Sequence, residues 1–587
     1  MRYCRIAFTI AVSFAIASAQ QPPNPPASAT PTTPPPAATF KATSRMVTVE
    51  VVAKDHHGQP ISGLTADDFE VSEQISGKRE QHPQKIAAFR AVSVAELAAH
   101  DRGKLNLPPG VYTNLAAMDK VPVPPTVLLV DGLNTDRASQ MQVHRQMIKM
   151  LASIPDDVPV AVFLLGRGLK LVQNFTTDPK LLKAAIQKAA SVEADNATQV
   201  EPIDDPDALS AFLEDSPSLP EGSITAIEQF ERETYAFQMD TRVRKTLDAL
   251  RAIARHVAGY PGRKNLLWIS SSFPIAINPD VDLGWAGFRA YSDQMASVTS
   301  ALADAKVAVY PMDPAGLQVQ SMFQASARMR GNPVTGQHSV GRQIEREDQS
   351  RFNRQQSMEV LADQTGGIVC INNNDLGDCV RKAVNDGSSF YEIAYYPNSS
   401  EWHGEFHKII VKTKKSGTRL AYRQGYYARP VGDAKAELQE ATCVDLLTST
   451  SVLMVAKSYP TEKPGTIRYA MAIDPSTVSF ATQADGSREL ALSVGVCTFD
   501  KTGKPIQFLQ DSVDAKLTDK QFAAIQAQHG FPHAVIFTPG PETAAVRLLV
   551  RDVATGEMGS VNLPYTETAA AVTLPTAGVT TDKPSAH

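Results

Sequence analysis

The sequence predicts a mixed α/β protein, with a mostly parallel sheet covered by helices in the middle and β-sandwiches on either side. Three observations carry this reading. Continuous apolar runs recur between Val127 and Tyr310; a strand buried on both faces has such a run, whereas a half-solvated strand alternates. Segments of helical spacing separate the runs, and strands that alternate with helices build a sheet covered on both faces. Toward both ends the pattern changes to short β-branched stretches between turn residues, as in antiparallel sandwiches.

The chain opens with Arg2 and Arg5 around a polar start, then the apolar run Ile6–Ala17, and Ala17-Ser18-Ala19 supplies an A-x-A cleavage pattern. That is the layout of a secretory signal peptide over residues 1–19, too short to span a bilayer comfortably. An exported protein, periplasmic or secreted, is therefore expected, with no membrane span after cleavage. Residues 20–39 are Pro, Ala, Thr and Gln with almost no large apolar side chain, too little to fold on, and read as a disordered linker. At 587 residues the chain exceeds a single hydrophobic core. Its net charge of −5 gives no reason to expect nucleic acid as a partner.

Order is expected from residues 40–95, a small β unit. Met46–Val52 is β-branched and partly alternating, His57-Gly58-Gln59-Pro60 is a turn, and Phe69–Val71 and Lys85–Phe89 are further strands. The central domain spans 120–387. Thr126–Val130 is its first strand and Met141–Leu151 its first helix; Val160–Leu165 and Leu169–Val172 are strands. Asp178-Pro179 opens a helix to Ala190, with Pro in the first turn. Thr241–Val257 is a long helix, Asn265–Ile269 a strand, Tyr291–Ala305 a helix and Val307–Tyr310 a strand. Ser357–Gln364 is a helix ended by Gly366-Gly367, Ile368–Cys370 a strand, and a last helix runs to Val384. Phe390–Tyr396, Lys408–Lys412 and Thr418–Tyr422, within 388–430, are strands expected to complete one sandwich with 40–95. The central domain then lies inserted between the two halves. Residues 435–565 are expected to form a separate C-terminal sandwich, with Glu489–Val494 and Ala545–Val550 among its strands, and 569–587 a disordered tail.

Several motifs recur in a fixed order: Gly63–Phe69 (GLTADDF), Leu107-Pro108-Pro109-Gly110, Leu129–Thr135 (LVDGLNT), Asn174–Asp178 (NFTTD), Pro261–Ser270 (PGRKNLLWIS), Val309–Pro314 (VYPMDP), Tyr395-Tyr396-Pro397 and Tyr422–Tyr427 (YRQGYY). In order and spacing they resemble the von Willebrand factor A (VWA)-related family of the type common in Acidobacteria. The resemblance implies a doubly wound, Rossmann-like VWA sheet flanked by Ig-like β-sandwiches. Ligands of such sheets bind where strand order reverses, in VWA domains between the first and fourth strands. Asp131–Thr135 and Ser270–Ser272 should therefore face each other, and Asp131, Asn134, Thr135, Ser270 and Ser271 are the expected binding residues. The family holds Mg²⁺ or Ca²⁺ there on an Asp-x-Ser-x-Ser loop, a distant Thr and a second Asp. Here Asp131 is present and Thr135 takes the fifth position, but the third is Leu133, no carboxylate follows the fourth strand, and the distant Thr is either Thr198 or Thr241. Cation affinity falls with the number of charged ligands. The expectation is a degenerate site without a cofactor, in which Asp131 and Asn134 cap the next helix and bond the neighbouring loop. A divalent cation on Asp131 and Thr135 is the alternative.

Residues 191–238, acidic through Glu193, Asp195, Asp204, Asp205 and Asp207, and residues 315–350, basic through Arg328, Arg330, Arg342 and Arg346, read as two long insertions at the same end. Such loops suit a lid or a docking surface. Cys370, Cys379, Cys443 and Cys497 allow two disulfides in three connectivities; proximity favours Cys370–Cys379 and Cys443–Cys497, with buried free thiols as the alternative. Neither a nucleophile elbow nor a phosphate loop nor HExxH occurs. Asn278–Gly284 lacks the downstream Glu of a calcium loop, Asp55-His56-His57-Gly58 reads as a turn, and Tyr391, Tyr395, Tyr396, Tyr422, Tyr426 and Tyr427 read as sandwich packing. The expected function is a non-catalytic adhesion or protein–protein interaction module of the cell envelope. The alternatives are a structural envelope component with no ligand at that face, or an unrecognised hydrolase using Asp131 and the serines at 270–272.

Overall fold

The computed structural model describes residues 46–93, 107–114, 125–135, 137–197, 221–270, 284–314, 355–373, 375–398, 403–428, 434–445, 447–483, 485–528 and 530–565. Four strands come first: β1 (Val47–Lys54), β2 (Phe69–Ile75), β3 (His82–Gln84) and β4 (Ile86–Ser93). Between β1 and β2 the Asp55 carboxylate accepts the His57 and Gln59 amides, and Gly58 supplies the positive φ, so Asp55–Gly58 is a turn. A three-residue strand, β5 (Val111–Thr113), follows.

The centre of the molecule is a five-stranded sheet built from β6 (Thr126–Asp131), β7 (Val160–Leu165), β8 (Leu169–Thr176), β9 (Lys264–Ile269) and β10 (Val307–Met312), in the order β10-β9-β6-β7-β8. The first four in that order are parallel and β8 is antiparallel to β7. Every residue of β6, β7, β9 and β10 is buried, which is why these segments carry no polar alternation. Its helices are α1 (Arg137–Leu151), α2 (Pro179–Ala197), α3 (Glu221–Val257), α4 (Gly284–Asp304), α5 (residues 355–365) and α6 (Leu376–Ser388). Val127 and Leu129 pack with α3, α4 and α5. Leu128 and Val130, on the opposite face, pack with α1, α2 and α6. Cys370 adds an isolated parallel bridge to Met312 rather than the strand expected at Ile368–Cys370. The chain reaches that bridge across Gly367, where a Cβ would lie 1.9 Å from the Val309 carbonyl oxygen.

The insertion expected over 191–238 is corrected in part. Residues 191–197 continue α2, and 221–238 form the first half of α3, a helix of 37 residues. No proline interrupts Glu221–Val257. The Gln229–Glu233 hydrogen bond and the Arg244–Asp240 ion pair, each spaced i,i+4, support this helix, whose first half leaves Phe230 and Phe237 exposed rather than packed. The rest of that insertion, and 315–350, lie outside the described residues, as do 1–45 and 566–587.

After α6 come β11 (Ser389–Tyr395), β12 (Glu405–Thr413), β13 (Arg419–Ala421) and β14 (Gly425–Ala428). They interleave with the first four strands in two sheets, β13-β1-β11-β4 and β14-β12-β2-β3. Val49, Val51, Phe69, Val71, Ile393, Tyr395, Ile409 and Val411 meet in the core between these sheets. Tyr391, Tyr395 and Tyr426 are buried there, whereas Tyr396 is exposed. Glu73 is also buried in this core. It accepts the Tyr395 and Tyr426 hydroxyls at 2.7 and 2.8 Å and has His407 Nδ1 at 3.3 Å.

The remainder begins with a helix, α7 (Ala434–Cys443), and continues through β15 (Met454–Pro460), β16 (Ile467–Ile473), β17 (Ala481–Thr482), β18 (Arg488–Phe499), β19 (Pro505–Leu517), α8 (Asp519–Ala527), β20 (Phe531–Phe537), β21 (Ala545–Asp552) and β22 (Met558–Pro564). Two sheets result, β20-β16-β15-β5 and β17-β18-β21-β22 with β19 on β18. This unit is not separate, as the sequence had suggested: β5, from residues 111–113, pairs with β15, and the Asn114 amide bonds the carbonyls of Ser449 and Val452. It is also tied to α3. Arg251 meets Glu440 at 3.0 Å, Arg255 pairs with Asp445, and the Gly259 amide donates to Thr450 Oγ1 at 2.9 Å. Disulfides join Cys370 to Cys379 and Cys443 to Cys497, with Cα–Cα distances of 6.3 and 5.5 Å. No described helix is long and apolar enough to cross a membrane.

Candidate functional site

β7 and β8 extend the sheet to one side of β6, and β9 and β10 extend it to the other. The order therefore reverses between β6 and β9, and their carboxyl ends deliver Asp131 and Ser270 to one place. Asp131 ends β6 and is fully buried. Its Oδ1 accepts the Asn134 backbone amide at 3.0 Å. Its Oδ2 accepts the Asn134 side-chain amide at 2.8 Å and the Trp268 indole N–H at 3.0 Å. The Ser270 side chain, also fully buried, bonds the same carboxylate. Burial raises the Asp131 pKa above the ordinary carboxylate value, and these four donors oppose that rise.

The loop itself is held by two strands and a helix. Gly132 and Leu133 donate their amides to the Leu165 carbonyl at the end of β7, at 2.8 and 3.0 Å. The Arg242 guanidinium, 8% exposed, donates to the Leu133 carbonyl at 3.1 Å. The Asn134 amide also donates to Thr246 Oγ1 at 2.9 Å, and that hydroxyl donates in turn to the Arg242 carbonyl. Thr135 is buried beside them. Of the residues expected here, Asp131, Asn134 and Ser270 are brought into direct contact. Ser271, Ser272, Thr198 and the Asn278 segment lie outside the described residues.

Three participants went unread in the sequence. Thr246, not Thr241, touches the loop, and Arg242 reaches it from one turn earlier on the same face of α3. Trp268 was read only as part of a buried strand, although a buried indole N–H needs an acceptor and Asp131 is the carboxylate that ends the neighbouring strand.

Asp131 and Thr135, the residues expected to hold a divalent cation, stand in a loop closed by hydrogen bonds. Both oxygens of Asp131 are engaged by donors, Leu133 offers no side-chain ligand, and Ser270 is turned onto Asp131. Among the described residues no group of three or more His, Cys, Asp or Glu is placed to hold a metal. A hard cation needs a cage of free oxygens; here the Asp131 oxygens accept N–H groups and the Leu133 carbonyl accepts the buried Arg242.

No family profile and no curated protein matches the chain. Among solved structures, an aerotolerance-related membrane protein from Bacteroides fragilis is 10% identical over 45% of this chain and 98% of its own, with a TM-score of 0.23. The conserved hypothetical protein BatB from Bacteroides thetaiotaomicron is 11% identical over 45% and 96%, with a TM-score of 0.23. A von Willebrand factor type A protein from Catenulispora acidiphila is 9% identical over 64% and 82%, with a TM-score of 0.22. At such TM-scores the likeness carries no argument about function.

Proposed function

We propose that the chain is an exported, non-catalytic VWA-related module, with a doubly wound central sheet and Ig-like sandwiches, that binds a protein partner in the periplasm or outside the cell. The observation that carries this reading is the meeting of Asp131 and Ser270 where strand order reverses, the crevice in which open α/β sheets bind their ligands. The metal site is degenerate in this reading: hydrogen bonds from Asn134, Trp268 and Ser270 hold the loop that a cation would otherwise hold. Two disulfides support an oxidising compartment. The partner therefore meets a rim that is pre-shaped without a cation.

The test is capture from envelope extract with three immobilised proteins: wild type, Arg167→Glu, exposed beside the Leu165 carbonyl that holds the loop, and Lys408→Glu on the exposed face of β12. Wild type and Lys408→Glu should retain the same partner, and Arg167→Glu should lose it. Equal capture by wild type, Arg167→Glu and Lys408→Glu would overturn the assignment of the face. Turnover of ester or peptide substrates by wild type, lost in Ser270→Ala, would overturn the non-catalytic reading.

A further inference from the structure

At the opposite, amino end of β9 and β10, the central sheet abuts the sandwich of β1, β11 and β13 through polar residues. Lys54 of β1 pairs with Asp386 of α6, and Lys306, just before β10, pairs with Glu392 of β11, which within the sandwich also meets Arg90 of β4 at 2.9 Å. Arg263, 2% exposed, donates through Nη2 to the Gly366 carbonyl. Arg423, 7% exposed, donates through Nη2 to the Thr48 carbonyl at 2.6 Å. A small cavity lies among them, lined by Glu50, Arg263, Lys306, Thr365 and Arg423.

Three buried atoms at this junction have no partner: Glu50 Oε1, Arg263 Nε and Arg423 Nε. Buried charged groups left in that state are costly, and native proteins satisfy them with protein or ordered water. The inventory is two N–H donors and one carboxylate acceptor. A water molecule accepts two hydrogen bonds and donates to a third group, which is that set. A halide would satisfy the two donors but would face the Glu50 carboxylate with like charge. The cavity is also too small for a polyatomic anion.

We infer that this junction holds one ordered water, bridging Glu50 Oε1 to the Nε groups of Arg263 and Arg423, so that the central sheet and the sandwich are joined through a hydrated seam. The test is crystallography of the full chain as wild type, Glu50→Gln and Glu50→Met, with one wild-type crystal soaked in bromide. Wild type and Glu50→Gln, which keeps an acceptor oxygen, should show a peak within about 3.2 Å of all three atoms. In Glu50→Met a peak should remain within hydrogen-bond distance of both Nε groups but lose its contact to residue 50, while Arg263 keeps its bond to Gly366. Bromide scattering at the position would overturn the inference in favour of an anion. Direct contact between Glu50 and either Nε, with no peak between them, would overturn it equally.

Discussion

Replacing Trp268 by Phe keeps the bulk of the ring in β9 and withdraws one N–H from Asp131 Oδ2. The carboxylate stays buried, so the loss should be about 1–3 kcal/mol, measured by urea denaturation. It should be the same in EDTA as in millimolar Mg²⁺; stabilisation of wild type by Mg²⁺ would contradict a cation-free loop. Lys264 offers a second residue-scale test. It is 1% exposed, its Nζ donates to the Tyr260 carbonyl, and burial, with Lys306 nearby, lowers its pKa from 10.5 to about 7. Between those values the unfolded chain binds more protons than the folded one, so this residue makes stability rise with pH across that window. Lys264→Met should lack the rise, its stability relative to wild type falling by at most about 1.4 kcal/mol per pH unit from pH 7 upward. Parallel pH curves for the two proteins would refute this. In the site itself, Asp131, Asn134 and Ser270 were legible because each sits at a strand end or loop start fixed by its motif. Trp268, Arg242 and Thr246 were not, because their roles depend on which way side chains point across a packed helix and sheet.

Among the elements, α3 is the one on which most else is assembled. At about 1.5 Å per residue its 37 residues extend about 55 Å. Its last turns carry Arg251 and Arg255, and the turn just after it carries Gly259, to the C-terminal sheets. A Cβ on Gly259 would stand 2.0 Å from the Thr450 carbonyl oxygen, backbone against backbone. Gly259→Ala should therefore push the 449–452 segment off α3 and lower stability by about 1–3 kcal/mol, read as a drop in Tm; an unchanged Tm would mean that the two segments are not in contact in solution. The strands of the central sheet were legible because burial on both faces demands uninterrupted apolar runs. The start of α3 was not, since its apolar residues, Phe230 and Phe237 among them, stand exposed and mark no buried face. β5 was equally hidden: three residues form a strand only because β15, more than three hundred positions later, supplies the other half of the ladder.

At the scale of the molecule, three sheet systems are fastened at points far apart in sequence, and the mixed α/β class was plain from patterning alone. The Cys443–Cys497 disulfide spans 54 residues and pins the end of α7 to β18. Removing it as Cys443→Ser with Cys497→Ser should cost about 2–5 kcal/mol, seen under oxidising conditions, where the Cys370–Cys379 bond stays intact, as a lowered urea midpoint; a midpoint equal to that of oxidised wild type would count against the bond. The interleaved sheets have a consequence for biogenesis. Val47 pairs with Tyr395, and Val71 with Val411, so β1 and β2 wait for almost the whole central domain to be synthesised before their neighbours exist. Contacts of such separation make folding slow. Until then valine-rich β1 stands with both edges open and β2 with one, β3 covering the other, a template for aggregation, and a chain halted before Ser389 would expose them for good. A chaperone that shielded these first strands until the later ones arrive would suppress that aggregation.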